Sequence, residues 1–228
     1  MDLKQQAAAR ALEYVHSGMT LGLGSGSTAA CFVDLLGAKL QAGELHDLRC
    51  VATSEKTARQ ARELGIPLTS LAELPELDLA VDGADEVDPS LNLIKGLGRA
   101  LLREKVIEIH ARKVVVIVDE SKLVSRLGST RPLPVELVQF EAQAQIRWLN
   151  TLGCRAEMWL EDDGRPVVTD NGNYLALLHF PEGIEDPCAL AKELAFRPGI
   201  VEHGLFLNMV DTVIAAGAGG VRLLEREK

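Results

Sequence analysis

The run Lys113-Val-Val-Val-Ile-Val-Asp119 constrains the fold most. Five β-branched residues stand together between charged ends. A strand with one face in water alternates apolar and polar residues. An unbroken apolar run needs cover on both faces, the condition of a strand inside a parallel sheet.

The chain before this run alternates strand-like and helix-like segments. Residues 2–16 read as a helix, with Leu3, Ala7, Ala11 and Val15 near helical spacing. Residues 19–24 read as a short buried strand that enters a Gly/Ser loop and a helix over 28–36. A strand at 48–52 and a helix at 55–64 follow, closed by Gly65 at the C-cap position. Strands at 66–68 and 77–82 and a long helix at 97–111 lead to the run itself. This alternation predicts a mainly parallel sheet with helices on both faces, whose ligands bind at the carboxyl ends of the strands.

The pattern changes near residue 130, where Pro132 and Pro134 break the chain. A strand at 135–138, a helix at 140–152, strands around 156–160, 167–170 and 174–179, and a helix at 187–195 predict a small α+β lobe with an antiparallel sheet. Residues 204–216 and 220–224 are strand-like and return to the first domain. The expected division is therefore 1–130 with 204–228 as an α/β catalytic domain, and 131–203 as a lobe suited to oligomerisation. A chain of 228 residues accommodates one core domain with such an appendage.

The formal net charge of −9 argues against nucleic acid and anionic membrane as partners. It leaves a small anionic substrate open, because a few cations and backbone N–H groups bind phosphate within an acidic protein. No apolar run reaches the roughly 18 residues that span a bilayer. The N-terminal residues lack a signal-peptide core, so the expected location is cytoplasmic. Cys31, Cys50, Cys154 and Cys188 form no C-x-x-C pair, and none of the five histidines is spaced as a metal pair.

Four segments carry candidate chemistry. Gly22-Leu-Gly-Ser-Gly-Ser-Thr28 follows a strand and opens a helix, where glycines, hydroxyls and helix N–H groups favour an anion. It also reads as a tight turn with Ser27 as N-cap. It is neither a P-loop nor a dinucleotide fingerprint. Val81-Asp-Gly-Ala-Asp-Glu86 sets carboxylates at a strand end, suited to sugar hydroxyls and proton transfer, to a divalent metal, or to a solvated turn. Lys95-Gly-Leu-Gly-Arg-Ala-Leu-Leu-Arg-Glu-Lys105 places a lysine and two glycines before a helix. Leu102, Val106 and Ile109 form that helix's apolar stripe, with Glu104 roughly opposite Leu102. Asp119-Glu-Ser-Lys122 brings a lysine to the end of the strongest strand. Each segment alone also reads as ordinary surface; their coincidence at successive strand ends points to one cleft.

Taken in order, these segments resemble ribose-5-phosphate isomerase, type A. The resemblance spans nearly the whole chain: Gly24-Ser-Gly-Ser-Thr-Ala29, Ala52-Thr-Ser54, Leu64-Gly-Ile66, Val81-Asp-Gly-Ala-Asp-Glu86, Ile94-Lys-Gly96, Ala100-Leu-Leu-Arg-Glu-Lys105, Asp119-Glu-Ser-Lys122, Pro132-Leu-Pro-Val-Glu136, Thr169-Asp-Asn-Gly-Asn173, Pro198-Gly-Ile200 and Gly204-Leu-Phe206. It implies an α/β fold, a Rossmann-like sheet with a smaller α+β lobe. It also implies a homodimer or homotetramer that interconverts ribose 5-phosphate and ribulose 5-phosphate, in the non-oxidative pentose phosphate pathway, without metal or organic cofactor.

The resemblance makes Glu104 the general base and brings Asp82, Asp85 and Lys95 to the sugar end. Ser25, Gly26, Ser27 and Thr28 bind the phosphate, with Lys4 and Lys122 as cationic helpers. Gly83, Ala84, Gly96, Leu97 and Gly98 complete the substrate-binding set. One departure stands out: the family's Lys-Gly-Gly-Gly-Gly-Ala run reads Lys95-Gly-Leu-Gly-Arg-Ala100 in this chain. Either Leu97 and Arg99 turn away from the substrate, or they shift preference to a related sugar phosphate. A non-catalytic sugar-phosphate sensor is the alternative of a different class.

Overall fold

The structure is a computed structural model and describes residues 2–226. In chain order the elements are α1 (Leu3–Leu12), β1 (Thr20–Leu23), α2 (Gly26–Gln41), β2 (Arg49–Ala52), α3 (Glu55–Glu63), β3 (Leu79–Asp82), β4 (Glu86–Val87), β5 (Leu93–Ile94), α4 (Leu101–Glu108), β6 (Val114–Asp119), β7 (Leu133–Leu137), α5 (Ala142–Leu149), β8 (Arg155–Met158), β9 (Tyr174–His179), α6 (Pro187–Ala195), β10 (Ile200–His203), β11 (Leu205–Phe206), β12 (Thr212–Gly217) and β13 (Gly220–Glu225). A 3₁₀ turn, Glu120–Lys122, follows β6. The chain forms two compact units. One holds the described parts of residues 1–84, 103–122 and 208–228; the other holds residues 85–102 and 123–207.

The first unit is built on a six-stranded sheet in the order β13-β12-β6-β3-β1-β2. Neighbours run parallel except β12 with β13, which form an antiparallel hairpin. Alternation along each strand sorts side chains onto two faces. On one face Leu21, Leu23, Val81, Val115, Ile117 and Ile214 pack with Phe32, Val33 and Leu36 of α2 and with Ala7, Ala8 and Ala11 of α1. Truncating one of the large residues in this layer costs on the order of 2–5 kcal/mol. The other face is kept low by Gly22 and Ala80. Ile107 of α4 fills that space, its Cγ2 lying 2.7 Å from where a β-carbon on Gly22 would stand. Val51, Leu74, Leu77 and Ile107 form the second, smaller cluster.

The second unit has a four-stranded antiparallel sheet, β10-β7-β9-β8, and a three-stranded sheet, β11-β5-β4. Leu133, Val135, Leu137, Ala176 and Leu178 pack with Leu149 of α5 and Leu190 and Leu194 of α6. Asp186 caps α6 by accepting from Ala189 N at 2.9 Å, with Pro187 in the first turn.

Several expectations are corrected. The second unit is larger than 131–203, because β5 pairs with β11 and Ile94 and Leu205 join its core. Residues 66–68 form no strand; Leu68 makes one bridge to Cys50. Residues 167–170 likewise contribute only the bridge from Val168 to Tyr174. The helix expected over 97–111 spans Leu101–Glu108, because residues 96–99 form a turn closed by Arg99 N donating to Gly96 O at 2.9 Å. Pro134 does not break the chain but lies within β7, paired with Leu177. Its carbonyl accepts from Gly204 N, so its nitrogen faces the same side. The ladder to β10 ends at Val135, and the missing N–H is not needed there.

Candidate active site

In the first unit, polar groups gather where the parallel strands end. β1 passes through Gly24 and Ser25 into α2. The Ser25 side chain makes no cap hydrogen bond. Its Oγ lies instead 2.6 Å from Thr53 Oγ1, just beyond β2. Ser25 N donates to Asp82 Oδ1 at 2.9 Å, and Gly83 N donates to the same oxygen at 2.6 Å. Asp82 is the last residue of β3 and is buried. Two main-chain donors thus fix its carboxylate at the sheet edge.

The start of α2 offers chemistry suited to an anion. Helix N–H groups and the dipole favour negative charge at Gly26, Ser27 and Thr28. Ser27 is not the N-cap; that position belongs to Ser25. The Ser27 hydroxyl accepts from Lys4 Nζ at 2.9 Å, which brings an ammonium to the same turn. Asp2 and Gln5 form a capping box that starts α1 and so positions Lys4. Gly26 adopts φ +90°, with nothing within 4 Å of a β-carbon there. Lys122 ends the 3₁₀ turn after β6 and is half-buried. Gly83 and Ala84 follow Asp82, both half-buried.

The base candidate is placed by packing. Arg103 Nη1 donates to Glu55 Oε1 at 2.8 Å, and Glu55 opens α3 just beyond β2. This contact ties the beginning of α4 to the carboxyl edge and holds the Glu55 carboxyl below the usual range. Ile107 packs on Gly22, further down the strands. Glu104 stands three residues earlier on the same face, about 4.5 Å nearer the edge by helical rise. It is only 3% exposed. The expected apolar stripe is reversed: Val106 is 41% and Ile109 63% exposed, whereas Glu104 and Glu108 are buried beside Ile107. The pattern misleads because the inward face of this helix carries carboxylates.

The second unit holds Asp85, Lys95, Gly96, Leu97 and Gly98. Asp85 N donates to Ile94 O at 2.8 Å, and its Oδ2 accepts from Leu97 N at 2.9 Å. Lys95 is buried, its N donates to Gly204 O at 2.9 Å, and its ammonium lies 5.3 Å from the centre of the Phe206 ring. Gly96 has φ +111° and lies against Leu101, so a side chain there meets both strain and a clash. Gly98 has nothing within 4 Å of a β-carbon.

Sequence reasoning does not pick out Thr53 or Thr57, yet Thr57 Oγ1 donates to Gly24 O at 3.0 Å and helps shape the loop. Hydroxyl residues after a strand at the ligand edge were the available signal. It also assigns no role to Glu86 or Glu108, whose burial no local pattern announces. Among the described residues, no group of three or more His, Cys, Asp or Glu is placed to hold a metal ion, and no helix is long and apolar enough to cross a membrane.

The family described as ribose 5-phosphate isomerase A (phosphoriboisomerase A) matches residues 49–220 of this chain. Ribose-5-phosphate isomerase A of Roseiflexus castenholzii is 50% identical, over 97% of this chain and 94% of its own length. The probable ribose-5-phosphate isomerase 3, chloroplastic, of Arabidopsis thaliana is 49% identical, over 99% of this chain and 83% of its own. A solved D-ribose-5-phosphate isomerase in complex with phospho-erythronic acid superposes with a TM-score of 0.96 at 43% identity, covering 99% of this chain and 100% of that one. With this fold, this edge of polar residues and relatives matched along their length, the chain belongs to the ribose 5-phosphate isomerase A family and is an aldose–ketose isomerase of ribose 5-phosphate and ribulose 5-phosphate.

Proposed function

We propose that Glu104 is the base of this isomerisation and that one carboxylate serves both proton transfers. It removes the proton from C2 of the open-chain aldose, giving an enediolate, and returns it to C1 to give the ketose. The observation that supports this is a buried carboxylate on the inward face of α4, at the edge where Asp82 is fixed. General-base catalysis of this kind contributes about 10²–10⁴ in rate. The ammonium of Lys95 offsets the negative charge that develops on the enediolate oxygen. Asp82 and Asp85 relay hydroxyl protons and help open the furanose ring. Ser25, Gly26, Ser27 and Thr28 hold the phosphate, aided by Lys4 and Lys122, while Gly83, Ala84, Gly96, Leu97 and Gly98 line the substrate. A solved relative was in complex with phospho-erythronic acid, a phosphorylated hydroxy acid whose carboxylate resembles the charge of an enediolate. Side chains and backbone of this chain carry each of these steps.

The second unit is our assignment for self-association as a dimer or tetramer, since Phe140 and Phe196 are 81% and 86% exposed on it. Light scattering of the purified chain checks this; a monomer at micromolar concentration refutes it.

The test of the base is turnover of ribose 5-phosphate in EDTA by the parent and Glu104→Gln. A loss of about two decades or more in kcat, with substrate still bound, is the expected result. Near-parental turnover would remove Glu104 from the mechanism.

A further inference from the structure

We infer that Arg99 is a positioning residue for the sugar end, acting through the turn that carries Leu97. The inference rests on the roles proposed above for Asp85 and Lys95.

The turn begins at Lys95, whose N is bonded to Gly204 O, and closes where Arg99 N donates to Gly96 O at 2.9 Å. Between them, Leu97 N donates to Asp85 Oδ2 at 2.9 Å and sets the direction of that carboxylate. Arg99 itself has φ +67°, a left-handed conformation that strains a residue with a side chain and that glycine adopts freely. The side chain standing at this strained position is fully engaged. Its Nη1 donates to Glu161 Oε1 at 2.6 Å and its Nη2 to Glu161 Oε2 at 2.9 Å. Its guanidinium carbon lies 5.1 Å from the centre of the Trp159 ring. A two-pronged carboxylate contact fixes the guanidinium in its plane, and the ring fixes it across that plane.

The platform beneath is held by main chain. Trp159 N donates to Leu175 O at 2.8 Å, Val167 N to Trp159 O at 2.9 Å and Glu161 N to Arg165 O at 2.8 Å. The turn is therefore fastened at its start by backbone and at its end by Arg99. The Arg99 and Glu161 side chains are both half-exposed. A half-exposed pair is screened by water, so a loss of kcat larger than any shift in thermal midpoint explains belongs to geometry at Asp85 rather than to folding.

The test uses Arg99→Gly, which also relieves the backbone, Arg99→Lys, Glu161→Gln, and the double variant Arg99→Gly with Glu161→Gln. Measured are kcat, KM for ribose 5-phosphate, inhibition by inorganic phosphate and the thermal midpoint. The expected result is a fall of about tenfold in kcat for Arg99→Gly and for Glu161→Gln, a smaller fall for Arg99→Lys, and a double variant no worse than the worse single. Inhibition by inorganic phosphate and the thermal midpoint stay near parental values. A kcat within about twofold of the parent in both single variants overturns the inference. So does a double variant whose loss is the product of the two. Asp85→Asn, assayed alongside, separates the failures. If it keeps parental kcat, the role of Asp85 is lost and this inference with it. If it collapses while the Arg99 and Glu161 variants remain parental, only the role of Arg99 is lost.

Discussion

Gly24 lacks a side chain because the carboxylate of Asp82 occupies the space: a β-carbon on Gly24 would collide with Asp82 Cγ and Oδ1. The two positions are one device, in which the loop after β1 and the acid that ends β3 interlock. Gly24→Ala is therefore expected to push Asp82 off its bonds to Ser25 N and Gly83 N. Overpacking costs about 1–3 kcal/mol in stability. The loss in kcat should exceed what that stability change explains. Urea denaturation and steady-state kinetics on one preparation compare the two. A variant that is stable and fully active would show that Asp82 need not stand where it does.

Glu86 is fully buried and accepts from Gly128 N (2.5 Å), Thr130 N (2.7 Å), Arg131 N (2.8 Å) and Thr130 Oγ1 (2.6 Å). It moulds the loop over 128–131. Glu86→Ala strands main-chain donors in the interior and should destabilise by about 3–5 kcal/mol. Glu86→Gln keeps an acceptor and should lose less. Denaturant titration of the two variants gives the order, and equal stabilities would dismiss the loop-moulding role.

Burial pushes the Cys50 thiol up to about 12 and the Cys154 thiol up to about 11. Cys31 is also raised, by burial first and then by the carboxylates of Asp2 and Asp34. Cys188 is exposed. At pH 8 an aromatic disulfide reagent should show one fast thiol, removed by Cys188→Ser, with Cys50 and Cys154 reacting only on unfolding. A fast phase that survives Cys188→Ser would contradict this.

Asp78 joins the start of β3 to β1. Its carboxylate accepts from Thr20 N at 2.8 Å and Thr20 Oγ1 at 2.9 Å. Its pKa is lowered, first by the Thr20 N–H and further by the Thr20 hydroxyl and Arg112. A depressed folded-state value stabilises the fold above the unfolded value, near 3.9, and that stabilisation disappears as pH falls through the folded value. Asp78→Asn should therefore lower the urea midpoint at pH 7 and lose this difference toward pH 3. A pH-independent difference would assign the effect to hydrogen-bond geometry alone.

Much of the fold is legible locally. The strand Val114–Asp119 announces itself by unbroken apolar residues, and α6 by Asp186 and Pro187 before an apolar helix. The facing of α4 is not legible: an apolar-stripe rule turns Val106 and Ile109 inward, while packing turns Glu104 and Glu108 inward. The limit of α4 is set by residues 96–99, where Gly96 and Arg99 take positive φ, and only the glycine signals that. The motifs around Ser25, Asp82 and Glu104 can be read because each follows a strand or opens a helix. The link from Arg99 to Glu161 cannot, because 62 residues separate its partners.

The helix that bears Glu104 is eight residues long. An isolated helix needs roughly 12–15 residues to persist in water. Glu104 therefore has no local reserve of order; it keeps its place while Ile107 rests on Gly22 and Arg103 holds Glu55. A species with its sheet loosened yet still able to turn over substrate is not available to this chain. Loss of turnover on heating or in urea should coincide with loss of the sheet, so catalysis itself reports the cooperativity of the fold.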